Sequence, residues 1–327
     1  MGPSPLSRAS EGQDVVTVSA EQRQANGMTP RPAAAARFRA GRRPGRGVPT
    51  LPLLLPAVGS LALWSVVPTI LILWFAFQGY NLLTPPKGFV GFRNFTFLLT
   101  DPGLPTVLLN TVLLVVAPLA LTIAFGTLVA VVFNDYFPGR WVARLLVVGP
   151  FFVMPTVSAL VWKNLFMHPV YGLFAGIAHT LGLPAIDWFA DWPLGSVILI
   201  ITWEWTPFAG LILLTSLQSL DHEQVEAAVM DGAKAVSMFR YIVVPHLARP
   251  IAIVAMLETI FFLGIYAEIA VTTVGGPGLA TTNLPFYIYS RALLGFDIGG
   301  ASAGGIFAIL IANLVTIAFV RTVARQI

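Results

Sequence analysis

The chain has 327 residues, of which 56% are hydrophobic and 10% are charged, and it contains no cysteine. Soluble domains usually carry about 25% charged residues, so this composition argues against soluble domains and predicts a polytopic membrane protein. The lack of cysteine excludes disulfides and thiolate metal sites. The net charge of +4 arises in residues 1–50, which hold eight arginines against three acids, whereas the remainder holds 11 basic and 12 acidic residues. A nucleic-acid-binding surface is therefore not predicted.

Residues 1–49 are rich in Pro, Gly, Ala, Arg and Ser and hold few large apolar side chains. Such a segment cannot bury enough surface to offset the entropy of ordering, so we predict a disordered basic tail. Arg42-Arg43 before an apolar run also fits a twin-arginine export signal. The run that follows is uncharged from Val48 to Gln78 and lacks an Ala-x-Ala cleavage site, which favours a permanent membrane anchor.

Six segments are long and apolar enough to cross a bilayer, for which about 20 residues suffice. The fourth of them carries Glu204, and the fifth carries Glu258 and Glu268. The sequence therefore predicts an all-α polytopic membrane protein with six transmembrane helices in a lipid bilayer. These helices are expected at about residues 51–77, 107–133, 143–165, 194–220, 250–274 and 302–322.

Basic residues predict the orientation, because cytoplasmic loops of membrane proteins are enriched in Lys and Arg. With a cytoplasmic N-terminus, the inner segments hold fifteen basic residues and the outer segments hold four at most. Both termini and the loop 221–250 are therefore predicted to be cytoplasmic. The four outer residues are Lys87, Arg93, Lys163 and Arg291.

Two outer segments have distinct composition. Residues 88–102 alternate aromatic and polar groups, which predicts an interfacial helix or turn. Residues 166–193 contain two histidines and two aspartates, but their spacings match no metal-ligand pattern, so we predict interfacial tryptophans with solvated acids and no metal site. The four residues are His168, His179, Asp187 and Asp191.

The loop 221–250 has the pattern of two short helices joined at Gly232. Asp221 is a candidate helix cap, and Gln224 three positions later completes a capping-box pattern. Gly232 can end the first helix in a left-handed conformation. A second helix from about Ala233 to Val244 is expected to stop at Pro245. A connector lying on the inner leaflet is the alternative, but the acidic first helix would be repelled by anionic lipid.

The loop contains a spaced pattern made of Glu226-Ala227-Ala228, Asp231-Gly232-Ala233, Phe239, Ile242, Pro245 and Pro250. These residues resemble the EAA motif of ABC importer permeases, most of all those of the carbohydrate-uptake family. The one small departure is Val244, where Leu is more usual before the proline. Further similarities extend the resemblance over roughly residues 50–325, at Gly91–Phe95, Asn110-Thr111, Thr206-Pro207-Phe208 and Gly275–Gly278.

A narrower resemblance connects the chain with polyol permeases, which transport sorbitol or mannitol. It is carried by segments near the fifth and sixth predicted spans. These are Tyr266-Ala267-Glu268, Thr272-Thr273, Gly275–Gly278, Thr281-Thr282-Asn283 and Phe296–Gly305.

The resemblance implies a six-span permease domain over residues 50–327 in a bacterial plasma membrane, with a cytoplasmic coupling helix that inserts into an ATPase dimer. It also implies a second permease subunit, forming a heterodimer, and an extracytoplasmic substrate-binding protein. The chain has no Gly-x-x-x-x-Gly-Lys-Ser/Thr phosphate loop, so it is not expected to be an enzyme or to bind a cofactor, and the partner would use ATP and Mg²⁺. The implied coupling residues are Glu226, Ala227, Ala228, Asp231, Gly232, Ala233, Phe239 and Pro245.

Carboxyl groups inside spans are candidate functional groups. At 1.5 Å per residue, Glu204 would lie about 15 Å from one membrane edge and Glu258 about 12 Å from the other, so their depths nearly coincide. Carboxylates beside aromatic rings suit a sugar or polyol, although neutral, hydrogen-bonded packing groups are the alternative. The candidate substrate-binding residues are Trp203, Glu204, Trp205, Glu258, Phe262, Tyr266 and Glu268.

Two other function classes were weighed. A proton-coupled secondary transporter could use Glu204 and Glu258 as a relay, but it would need no ATPase-docking loop. An intramembrane hydrolase could use Ser302, which lies in a Gly-x-Ser-x-Gly pattern. No strand precedes that pattern and no histidine lies in a predicted span, so close packing of small residues in the sixth helix explains it better.

Overall fold

A computed structural model describes residues 50–324, and the predicted tail 1–49 lies outside them. The described residues fall into two units, the first turns of α1 through Leu61 and residues 62–324. Within 50–324 all regular elements are helices, as the sequence predicts. The α-helices are α1 (Thr50–Ala76), α2 (Arg93–Leu99), α3 (Leu104–Asn134), α4 (Arg140–Val148), α5 (Pro155–Val161), α6 (Leu173–Thr180), α7 (Trp188–Asp191), α8 (Pro193–Leu217), α9 (His222–Met230), α10 (Ala235–Met238), α11 (Val244–Phe262), α12 (Ala267–Thr272), α13 (Leu284–Tyr289) and α14 (Ile298–Ala324).

Five stretches of the described chain are long and apolar enough to span a membrane, and a bent pair of helices brings the number to as many as six. These stretches confirm the predicted first, second, fourth and sixth spans within a few residues. The predicted interfacial element in residues 88–102 is also present, as α2. The five stretches are Leu54–Ala76, Leu104–Asn134, Pro193–Leu217, Ala235–Phe262 and Ile298–Phe319.

The third span is not the single helix that residues 143–165 predict. Its two halves, Arg140–Phe152 and Pro155–Phe166, meet at an angle of 107°. The first half ends in a 3₁₀ turn at Gly149–Phe152, and Met154 is extended, with φ −61° and ψ 136°. A residue that precedes proline is pushed out of the α region by the proline ring, so Pro155 explains where the helix breaks.

The fifth span also differs from the prediction of 250–274. The second loop helix does not stop at Pro245, because α10 continues through a π-helical turn at Phe239–Val243 directly into α11. That turn is closed by a bond from Val244 N to Phe239 O. Pro245 follows directly on that wider turn, and the helix continues through it although proline donates no backbone hydrogen bond. The span ends at Phe262, and α12 follows as a separate short helix.

The closest helix contact in the core joins α3 and α8. A Cβ atom added to Gly126 would lie only 2.7 Å from Cβ of Ala209 and 2.9 Å from N of Gly210. Small residues at such a crossing let two backbones approach closely in a membrane. Apolar clusters on both sides of this crossing join α3, α8 and α11, and one includes Phe262 of α11 and Ile269 of α12. The core therefore holds the elements that carry Glu204, Glu258 and Glu268 together.

Candidate coupling loop and intramembrane carboxyl groups

The first helix of the loop begins and ends as the sequence predicts. Asp221 caps α9, since its Oδ1 accepts from Glu223 N at 3.0 Å. Gly232 has φ +80°, a left-handed conformation that favours glycine. Ala233 N donates to Ala228 O at 2.9 Å and closes the helix end. The predicted return bond from Gln224 does not form in the described chain, so the capping box is only half present.

The coupling residues lie on an exposed surface. Glu226, Ala227, Asp231 and Gly232 are exposed, Phe239 and Pro245 likewise, and Ala228 and Ala233 are half-buried. Apolar neighbours are exposed as well, including Val229 at 57% and Met230 at 87%. The apolar side chains of α9 are only partly covered, since Val225 and Ala228 are half-buried while Val229 is not. The loop presents both acids and apolar groups to its surroundings.

Glu204 and Glu268 are brought together by the fold. Glu204 is 4% exposed and Glu268 is 3% exposed, and their carboxyl groups interact across α8 and α12. The fully buried Ser158 of α5 lies beside Glu204. Neither oxygen of Glu204, nor the Ser158 hydroxyl, has a hydrogen bond of ordinary geometry within the described chain. This cluster joins three separate segments around one pair of acids.

Glu258 occupies a different environment. It is fully buried on α11, and its Oε2 accepts from the Thr122 hydroxyl of α3 at 2.5 Å. Its Oε1 is buried without a partner in the described residues. No interaction joins Glu258 to Glu204 there, so the structure does not bring together the two acids for which the sequence predicts similar depths.

The aromatic candidates separate into two groups. Trp203 packs edge-on against Trp162, with ring centroids 5.6 Å apart. Trp205 lies 4.9 Å from Phe261 and 5.5 Å from Phe262. Tyr266 lies 5.3 Å from Tyr289. Phe261 and Tyr266 are exposed at 54% and 43%, so these two rings, with the half-buried Trp205, form the accessible aromatic surface near the carboxyl groups.

Comparison with known proteins identifies the family. The model described as "Binding-protein-dependent transport system inner membrane component" matches residues 43–327. The chain belongs to this family. Its members of known description include a probable ABC transporter permease protein y4oQ from Sinorhizobium fredii, 35% identical over 252 residues that cover 76% of this chain and 81% of the relative.

Two further relatives have named substrates. The trehalose/maltose transport system permease protein MalF of Thermococcus litoralis is 31% identical, over 82% of this chain and 91% of the relative. The sulfoquinovosyl glycerol transport system permease protein SmoG of Agrobacterium fabrum is 30% identical, over 84% and 90%. These descriptions support a permease of a carbohydrate-type importer and do not single out polyols.

A solved structure shares the fold. A chain of a bacterial ABC transporter that imports the acidic polysaccharide alginate superposes with a TM-score of 0.73, at 22% identity, over 84% of this chain and 94% of that chain. The same transporter type, solved with an alginate-bound periplasmic protein, gives a TM-score of 0.70 at 22% identity, over 82% of this chain and 91% of that chain. This likeness shows the fold, and the family match makes the chain an inner-membrane permease component and not an enzyme.

Four residues of this permease are missing from the sequence-based site. Ser158, Thr122 and Lys163 contact the acid-bearing segments, and Phe261 adds an aromatic surface. Lys163 Nζ donates to the carbonyl oxygens of Val271 and Thr272, at 3.0 and 2.7 Å. Polar side chains inside apolar runs were the available signal, because buried polar groups need partners.

Ser302 has a packing role in this structure. It lies inside α14 at 8% exposure, not at a strand-to-helix turn. A Cβ atom on Gly299 would lie 2.3 Å from Gln78 O, and one on Gly304 would lie 3.0 Å from the Ile288 side chain. The predicted close packing of small residues in this helix is confirmed.

A polar cleft lies outside the spans, between α2 and the segment before α14. A cavity of about 380 Å³ there is lined by Asn94, Asp101, Arg291 and Asp297 among others. The Tyr287 hydroxyl donates to Asp101 Oδ2, and with Gly103 N and the nearby Arg291 it holds the pKa of Asp101 below its usual value. Burial and the same contact raise the pKa of Tyr287 to about 12. This cluster joins the loop after α2 to the segment between α13 and α14.

Proposed function

We propose that the chain is the membrane permease of an ATP-driven importer, passing a sugar or polyol inward from a binding protein by alternating access. Family membership supports the importer role, and the exposed loop 221–234 supports coupling to a separate ATPase. The single observation that carries the coupling is the capped, Gly232-terminated helix α9 with its acids and apolar groups exposed.

The proposed assembly contains three kinds of protein partner. A cytoplasmic ATPase dimer uses ATP and Mg²⁺ and receives α9, and a second permease completes the pathway as a heterodimer. An extracytoplasmic protein delivers the substrate. The excess of basic residues on one side, fifteen against four, supports cytoplasmic termini and a cytoplasmic loop.

The proposed substrate is a small polyhydroxylated molecule. Carboxyl groups accept from hydroxyls, and the faces of Trp205, Phe261 and Tyr266 can pack against the C–H faces of such a molecule. Trehalose/maltose and sulfoquinovosyl glycerol, named for two relatives, share this chemistry. Sorbitol or mannitol is the finer hypothesis, supported by the similarities at residues 266–305.

An uptake assay tests the function. The chain, co-expressed with its partners in a transport-deficient strain, should accumulate one labelled polyol or disaccharide in an ATP-dependent way. Unlabelled competitors should rank polyols, disaccharides and glycosyl glycerols by affinity. If none of these classes competes, the proposed substrate class is wrong, and a competition series led by disaccharides would remove the polyol hypothesis.

Glu204→Ala tests the proposed substrate site. We expect at least about a tenfold loss of uptake, equivalent to about 1.4 kcal/mol, with unchanged assembly. Asp191→Ala is the control, because Asp191 is an exposed acid just before the same helix. Unchanged affinity and rate in Glu204→Ala would remove Glu204 from the site.

A further inference from the structure

Glu204 and Glu268 are two buried, neighbouring acids without a compensating charge. Burial penalises an ionised carboxylate unless it is paired and hydrogen-bonded, and two adjacent carboxylates also repel each other. The buried Ser158 hydroxyl faces Glu204 without a partner of ordinary geometry. The cluster therefore lacks something that would neutralise one acid.

No charged side chain supplies that neutralisation within residues 50–324. The described contacts of Lys163 are with backbone carbonyls of Val271 and Thr272, and those of Glu258 are with Thr122. None of the titratable or charged groups on the packed elements forms an ion pair or hydrogen bond with Glu204 or Glu268. These groups are Arg140, Arg144, Lys163, Asp191, His246, Arg249, Glu258, Tyr287 and Tyr289.

A metal ion fits this cluster poorly. Calcium takes six to eight oxygen ligands and magnesium requires an octahedral set. The cluster offers two carboxyl groups and one hydroxyl, and no group of three or more His, Cys, Asp or Glu suited to a metal occurs in the described part of the chain. A proton needs no such set, because one carboxylic acid can donate directly to a neighbouring carboxylate.

We propose that Glu204 and Glu268 form a proton-binding site, in which one carboxylic acid donates to the other carboxylate and the Ser158 hydroxyl supports it. The pair then carries one negative charge instead of two. The shared proton fastens the fourth span to the short helix that follows the fifth. This inference does not depend on which solute the permease transports.

Infrared difference spectroscopy on the purified full-length complex tests the number of protons. At neutral pH, the double variant Glu204→Gln/Glu268→Gln compared with wild type should lose one protonated carboxyl band and one carboxylate band. Glu223→Gln is the control, because Glu223 is exposed on α9 and its replacement should remove a carboxylate band only.

The other spectral outcomes overturn the proposal. Loss of two carboxylate bands would show that the pair holds no proton, and dependence of those bands on sodium would assign the site to a metal cation. Loss of two protonated bands would show that each acid keeps its own proton. None of these readouts uses transport, so they remain decisive even if the proposed substrate is wrong.

A stability measurement tests the site with a single conservative change. Alkaline pH removes the shared proton and leaves two adjacent buried anions, so the melting temperature of the wild-type complex should fall as pH rises. Glu268→Gln leaves one acid beside an amide donor, and its melting temperature should fall several degrees less. Parallel pH profiles for the two proteins would contradict a shared proton.

Discussion

The loop between the fourth and fifth spans exposes its acids, whereas the acids of those spans and of α12 are buried. On α9, Glu223, Glu226 and the following Asp231 are exposed, whereas Glu204, Glu258 and Glu268 are at most 4% exposed. Exposed acids are available to a macromolecular partner at little desolvation cost. Buried acids need a partner inside the protein, because each would otherwise remain uncompensated. The difference indicates that docking and the intramembrane chemistry use separate parts of the permease.

The largest effect is expected from changes in the loop. Gly232→Trp forces a bulky residue into a left-handed conformation and enlarges the proposed docking surface, and Glu226→Lys reverses an exposed charge. Each should reduce the ATPase that co-purifies with the permease at least about tenfold, or about 1.4 kcal/mol, without affecting membrane insertion.

Gly182→Trp is the matched control for the loop. Gly182 also has a positive φ, +69°, and open space around it, but it lies before α7 in a different loop. It should co-purify wild-type amounts of ATPase. If the two loop variants also retained wild-type amounts of ATPase, the docking role of the loop would be refuted. The exposed acids of the loop would then have no function that distinguishes them from the buried acids.

A smaller effect is expected from a change next to one of the buried acids, Glu258. Thr122→Val removes the donor to Glu258 and leaves a buried carboxyl group with no hydrogen bond, which should lower stability by about 1–3 kcal/mol. Thermal unfolding of the purified complex measures it. Thr127→Val on the same helix is the control, since Thr127 donates only to Ile123 O of its own helix. Equal losses in both variants would show that the Glu258 contact contributes nothing specific.

The smallest effect is expected at the polar cleft. Because its contacts lower the pKa of Asp101 in the folded protein, Asp101 contributes stability above its unfolded pKa, and that stability is lost as pH falls through the folded pKa. Asp101→Asn should therefore flatten the acid side of the stability profile, by about 1 kcal/mol or less. Melting temperatures from neutral to acidic pH measure this, and an unchanged acid slope would argue against the ionised contact with Tyr287 and Arg291.

Local signals made much of the fold predictable. Asp221 and Gly232 act within a few residues of their own positions, so the start and end of α9 follow from the sequence. Pro155 gave a similar local signal, and its restriction of Met154 explains the break that a hydropathy reading misses. Pro245 was misread because the preceding π-helical turn depends on how α10 continues into α11.

The pairing of Glu204 with Glu268 could not be predicted from the local sequence. Glu204 and Glu268 are far apart in the chain, and a straight fifth span would have carried Glu268 away toward the outer edge. The end of α11 at Phe262 and the separate helix α12 bring it back against α8. Glu258, by contrast, finds its partner Thr122 on α3, a packing detail that composition does not reveal.

Lys163 links the broken third span to α12. Its ammonium group donates to two carbonyl oxygens at the end of α12, where the helix dipole favours a cation. Two hydrogen bonds thereby join the π-helical end of the third span to α12, although more than 100 residues separate them in the chain. We therefore expect these two segments to move together if the spans tilt during transport.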